Sequence, residues 1–276
     1  MYRLSIAHHL VANDAENCLQ FVLSRVHRER CLEIVGNLTE KYPKNANYQF
    51  GLFMNRFMST QGAMSEDDYL AWLLGARKHL LSAIYLAPNN PDYEDADAAI
   101  CYRIAYVDLA KSAEWLELAI RKSIDLGSKH PDKPHYFKHA INGHQAIAQN
   151  AIKASDWVKA CQHCVDALAI IETHFRKSHD TADIQSANVT TLDLYAQALE
   201  NIDIPKAIEV YDQYAEATTG LEKLEAKFHA YQMRRAGAFV RQAKLHNQRS
   251  SEAISKKGGY TRSGLRSISL VRETES

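Results

Sequence analysis

"KACQHCVDALAII", residues 159–171, holds Cys161 and Cys164 at C-x-x-C spacing with His163 between them. Three chemistries fit such a stretch: a redox pair, half of a metal site, or two small apolar residues packed in a helix. A redox C-x-x-C belongs at a helix N-terminus, where the dipole and free N–H groups lower the thiol pKa. Here the helix is expected to begin near Ser155–Asp156, so Cys161 falls past the first turn. A c-type haem needs C-x-x-C-H, and Val165 follows Cys164. Zinc needs two more ligands. His135 and His139 stand i, i+4, but with a turn near Ser155 His139 lies roughly 15 Å from Cys161 along the helix axes. His144 is better placed, near Cys164, and supplies one ligand. The stretch therefore reads as a packing face, with a metal at Cys161, Cys164 and His144 as the alternative. No cofactor is expected.

Outward from this stretch, helical periodicity runs almost everywhere and strand-like alternation almost nowhere. Six prolines and 11 glycines suit long helices. Asn90 reads as a cap, with Pro91 at the first helical position and Asp92, Glu94 and Asp95 in the first turn. Ser65 with Asp68 three residues on is a second start signal. The helix-start reading accounts for the whole acidic cluster Asp92–Asp97 without catalysis.

A weak repeat runs through the helices. Ala76, Leu80, Ala83 and Pro88 fall at offsets 0, 4, 7 and 12. Ala160, Cys164 and Ala167 repeat the first three offsets, as do Ala207, Tyr211 and Tyr214. Cys31, Val35, Leu38 and Pro43 repeat all four. A small residue at the first offset lets two helices approach, the larger one four on fills the next groove, and proline ends the helix. This pattern resembles the tetratricopeptide repeat, a 34-residue helix–turn–helix unit. The best matches are "AIAQNAIKASDWVKACQHCVDALAI" and "LDLYAQALENIDIPKAIEVYDQYAEA", with Tyr195 and Ala198 where the family packs its first helix. The resemblance covers about residues 12–220, with departures around "STQGAMSE" and "THFRKSHDTADIQS" and little of the family's Trp–Leu–Gly–Tyr. It implies an all-α right-handed superhelix (solenoid) of antiparallel hairpins over residues 1–248. An irregular helical bundle is the alternative.

The resemblance also implies a function. Stacked hairpins make an extended concave groove that holds a peptide or partner protein. Its groove positions fall on Tyr102, Arg103 and Tyr106 in one unit and on Asn142, Gln145, Gln149 and Lys153 in another. Asn142, Gln145 and Gln149 stand where the chaperone-binding members place Lys and Asn ligands, so capture of an acidic C-terminal tail is not expected.

The 276 residues are 46 % apolar, enough for a sizeable core, and carry 33 basic and 33 acidic side chains. That balance gives no global bias toward nucleic acid or membrane. No run of 18 apolar residues spans a membrane and no secretory signal is read at the start, so a cytoplasmic protein is expected. Five cysteines without framework spacing suit free thiols. Seven of the 13 histidines lie between His130 and His179, read as polar residues on helix faces. No P-loop, dinucleotide, zincin or nucleophile-elbow motif is present, so no enzyme is expected.

Residues 221–248 read as one long amphipathic capping helix, and 249–276 as a flexible tail rich in Ser, Gly and Arg. From Arg241 onward eight basic and three acidic residues leave +5, against −5 for the body. The tail is a candidate for an intramolecular contact with the body. Arg266 three residues before Ser269, with Leu270 after it, makes Ser269 a candidate phosphosite. Two alternatives to a scaffold remain: regulatory nucleic-acid binding through the basic tail, and an all-α enzyme with an unrecognised site.

Overall fold

The computed structural model of the chain describes residues 2–17, 21–58, 64–175, 182–224, 240–241 and 243–247. All regular structure among them is helical. Helix α1 spans Tyr2–Asn17, α2 Phe21–Lys41, α3 Ala46–Met58, α4 Glu66–Leu86 and α5 Pro91–Ala105. Helix α6 spans Ser112–Lys129, α7 Lys138–Lys153, α8 Trp157–Phe175, α9 Ala182–Leu199 and α10 Ile204–Leu224. Short 3-10 turns at Leu109–Lys111 and Pro134–Phe137 lead into α6 and α7. The chain divides into two compact units, residues 1–143 and 144–276.

In the first unit each helix packs on the next in chain order, from α1 to α6. Its main core gathers Phe53 of α3, Leu73, Ala76, Leu80 and Ala83 of α4, and Tyr93, Ile100 and Ile104 of α5. In the second unit α8 packs on α9 and α9 on α10. Its core is built on Val189, Leu192 and Ala196 of α9 and Ala207, Tyr211 and Tyr214 of α10, with Leu245 against them.

The helix starts follow the sequence signals. Ser65 Oγ accepts from the Asp68 N–H at 3.2 Å, and Asn90 Oδ1 from the Asp92 N–H at 3.0 Å, each satisfying an orphan donor. The α7–α8 turn closes as a Schellman motif. The Asp156 N–H reaches the Ala151 carbonyl and the Ser155 N–H the Ile152 carbonyl, with Ser155 in the left-handed region at φ 59°. Asp156 then caps α8 by accepting from the Lys159 N–H at 3.1 Å. Asp203 caps α10 in the same way, through the Lys206 N–H at 3.1 Å. Both turns share the pattern Asp-x-x-Lys-Ala, 156–160 and 203–207.

The repeated offsets lie on the packed faces. Ala76, Leu80, Ala83, Ala160, Cys164, Ala167, Ala207, Tyr211, Tyr214, Cys31 and Val35 are all buried, and Leu38 half-buried. Helix α6 carries a further instance, Ala119, Ser123, Leu126 and Pro131. Its second position is polar and still fully buried. The Ser123 hydroxyl donates to the Tyr136 carbonyl and accepts from the Ala140 N–H at 2.9 Å, so it joins α6 to the start of α7. Gly127 permits that approach, since a Cβ there would meet the Phe137 ring at 2.5 Å.

One boundary needs correction. The capping helix was expected to start at residue 221, but α10 runs on through Leu224. Gly220 costs about 1 kcal/mol inside a helix and does not end one. Of the remainder of 221–248, residues 240–241 and 243–247 are described and helical. The tail 249–276, with Ser269, lies outside the described residues.

Candidate functional site

The residues expected to line a groove sit on α5 and α7. Tyr102 and Tyr106, one helical turn apart, bring their hydroxyls to 2.8 Å, and Tyr106 is exposed. Burial pushes the Tyr102 phenol up, with the Tyr106 hydrogen bond adding to it. Arg103 is half-buried. Its guanidinium donates to the Phe57 carbonyl and lies 4.4 Å from the Phe57 ring centroid. Asn142 is half-buried, while Gln149 and Lys153 are exposed. Gln145 donates to the Ala187 carbonyl at 2.9 Å and to Thr191 Oγ1 at 2.8 Å, which ties α7 to α9. Tyr102 and Tyr106 thus form a pair, while Arg103 and Gln145 are held by packing contacts.

The acidic cluster divides. Asp92 and Glu94 occupy the first turn of α5 as expected. Asp97 does not belong with them: it is 1 % exposed, with Oδ1 2.8 Å from Arg77 Nε and Oδ2 2.8 Å from Lys122 Nζ. The expectation that the helix start accounts for the whole cluster fails there, because Asp97 lies beyond the first turn and is neutralised by two cations. Arg77 also lies 5.2 Å from the Trp115 ring centroid.

The second unit presents an open cleft of about 760 Å³ between α8, α9 and α10. Ile171 and Leu192 contribute buried apolar side chains to its wall. Glu172 and Glu216 line it with the amides Gln185, Asn188 and Gln213, and none of the lining residues is a cation.

The C-x-x-C stretch places its thiols inward. Cys164 is fully buried and Cys161 half-buried against Ala151, Ala160 and Ala198. Burial pushes the Cys164 thiol up to about 12, with Cys161 adding to it, which disfavours a free thiolate there. His163, between them, faces the other way. Its Nδ1 lies 2.9 Å from Nδ1 of His144, one ring donating, with ring centroids 5.2 Å apart. Burial, then the charge on His163, holds His144 down at about 4 against the opposing pull of Asp166. One nitrogen of each ring and one Asp166 oxygen all lie within 4.8 Å of one another. His144 therefore meets His163 and Asp166 rather than the two cysteines.

A second histidine pair joins α1 to α2. His8 and His27 bring their Nδ1 atoms to 2.7 Å with ring centroids 5.0 Å apart. Both pairs are separated by 19 residues, and they recur 136 positions apart, from 8 to 144 and from 27 to 163. Sequence reasoning missed this recurrence. The repeated 19-residue spacing was its signal, hidden because seven histidines crowd one region and His8 and His27 stand far from it. No family model matches the chain, and no curated protein is found similar to it.

Proposed function

We propose that the chain is a protein-binding scaffold of the tetratricopeptide-repeat kind, a right-handed superhelix of hairpins with no catalytic role, acting in the cytoplasm. Chain-order packing and the buried small residues at repeated offsets support this reading; the 136-residue recurrence spans three hairpins, α1/α2 to α7/α8, and so a unit of about 45 residues, longer than the 34 of the family. The partner surface is the α8–α9–α10 cleft, and the observation that carries it is its charge. Two carboxylates and three amides over an apolar floor, with no cation, suit an extended basic segment of a partner protein. Such a segment lays its aliphatic stems on Ile171 and Leu192 and its charges against Glu172 and Glu216. The chain's own basic tail has the same chemistry and competes for the cleft.

The test uses a labelled peptide of residues 255–272, which carries five basic residues and no acidic one, titrated into the full chain. It is expected to bind, more weakly at high salt. Deletion of residues 249–276 is expected to tighten binding, and the Glu172→Lys/Glu216→Lys double variant to weaken it at least about tenfold. Equal affinity for parent and charge-reversed protein sinks the cleft as the partner surface.

A further inference from the structure

We propose that His144, His163 and Asp166 form a binding site for a divalent transition-metal cation of the zinc class. Two imidazoles and a carboxylate are a ligand set that suits zinc, and three protein ligands leave a position open to water or a partner's side chain. The frame is set by the fold. His163 and Asp166 stand i, i+3 on α8, which turns both toward one side of the helix, and His144 meets them from α7. Their ligand atoms already lie within 4.8 Å of one another, so small side-chain rotations bring them onto one ion.

Burial is graded in the sense a metal needs. His144 is 8 % exposed and fixed by its surroundings, whereas His163 and Asp166 are half-exposed and leave a path for the ion to enter. A supporting contact orients the carboxylate: Gln162 Nε2 donates to Asp166 Oδ1 at 2.9 Å. The cysteines take no part, since their thiols point into the core.

The first histidine pair is an internal control. His8 and His27 have the same ring geometry, but three residues after His27 stands Arg30, a cation where the second pair has Asp166. The carboxylate therefore distinguishes a metal site from a hydrogen-bonded pair of rings.

The experiment titrates Zn2+ into the full chain, made without a histidine tag, against a chromophoric chelator. Co2+ serves as the spectroscopic probe, through its visible d–d bands. About one equivalent is expected to bind, with Co2+ bands of a four-coordinate site. Asp166→Asn and His163→Gln are each expected to weaken Zn2+ binding by more than about tenfold, since even a contact that only supports a ligand is worth that much, while the far-ultraviolet circular dichroism stays that of the parent. His27→Gln is expected to leave affinity and stoichiometry unchanged. The proposal is overturned if the parent binds no Zn2+ above the chelator, if both α8 variants bind as the parent does, or if His27→Gln weakens binding as much as they do.

Discussion

The hairpins α1/α2 and α7/α8 use one frame for two electrostatic ends. At the 136-residue spacing of the histidine pairs, seven residues off the register that aligns Cys31 with Ala160, Ala12 falls on Ala148, Ser24 on Ala160, Cys31 on Ala167 and Val35 on Ile171, and every one of these is buried. The histidine pairs differ by 0.2 Å in ring separation, 5.0 against 5.2 Å. What changes is the charge around them. Beside His27 stand Arg28, 4 % exposed and donating to Asn13 Oδ1 at 3.2 Å, and Arg30, paired with Glu33. Beside His163 stand Cys164 and Asp166. The backbone and ring geometry are tolerant; the neighbours decide whether the pair meets cations with repulsion or with a ligand.

The strongest challenge to that comparison is at the position after the second histidine. Arg28→Ala is expected to destabilise the fold by about 3 kcal/mol, because a large buried side chain leaves a cavity and takes its hydrogen bonds with it. Cys164→Ala at the matching position is expected to cost only about 1 kcal/mol. Urea unfolding of both measures the contrast, and equal losses would mean that the residue after the second histidine does not distinguish the two hairpins. Next in size is the graft Arg30→Asp, which gives the first pair the ligand set of the second. It is expected to add a second Zn2+ equivalent by raising affinity at that pair about tenfold, or ~1.4 kcal/mol. If Arg30→Asp adds no Zn2+ while the second pair binds it, something beyond the carboxylate separates the two. The smallest effect has the opposite sign. Ser155→Gly relieves the left-handed backbone of the α7–α8 turn and is expected to stabilise the protein by about 0.5 kcal/mol. Thermal unfolding checks this, and no gain would show that the turn is held by its hydrogen bonds alone.

The helices and their packed faces were legible because small residues at 0, 4 and 7 leave a mark in a single stretch. The α6 instance was not, because Ser123 interrupts the apolar pattern and its burial depends on a carbonyl and an N–H from another segment. The thiols of Cys161 and Cys164 were placed by the same packing logic. Their neighbour His163 was weighed only as the residue between two cysteines, though a helix turns successive side chains by about 100° and sends it to another face. Asp97 was read with its sequence neighbours for the same reason. Its partners Arg77 and Lys122 are 20 and 25 residues away, and only the packing of three helices brings them together. The cleft on α8–α10 likewise has no local signature, since each helix contributes a few polar residues that alone read as solvated surface.

Asp97 also bears on how the first unit opens. Helices α4, α5 and α6 each supply one charge to its cluster, through Arg77, Asp97 and Lys122. If α5 leaves alone, both ion pairs break, whereas Asp97 keeps one cation if α4 or α6 leaves alone. Opening of α5 is therefore coupled to its contacts with both neighbours. In native-state hydrogen exchange, the slow amides of α5 are expected to open at a higher free energy than those of α4 or α6, since α5 alone carries both ion pairs.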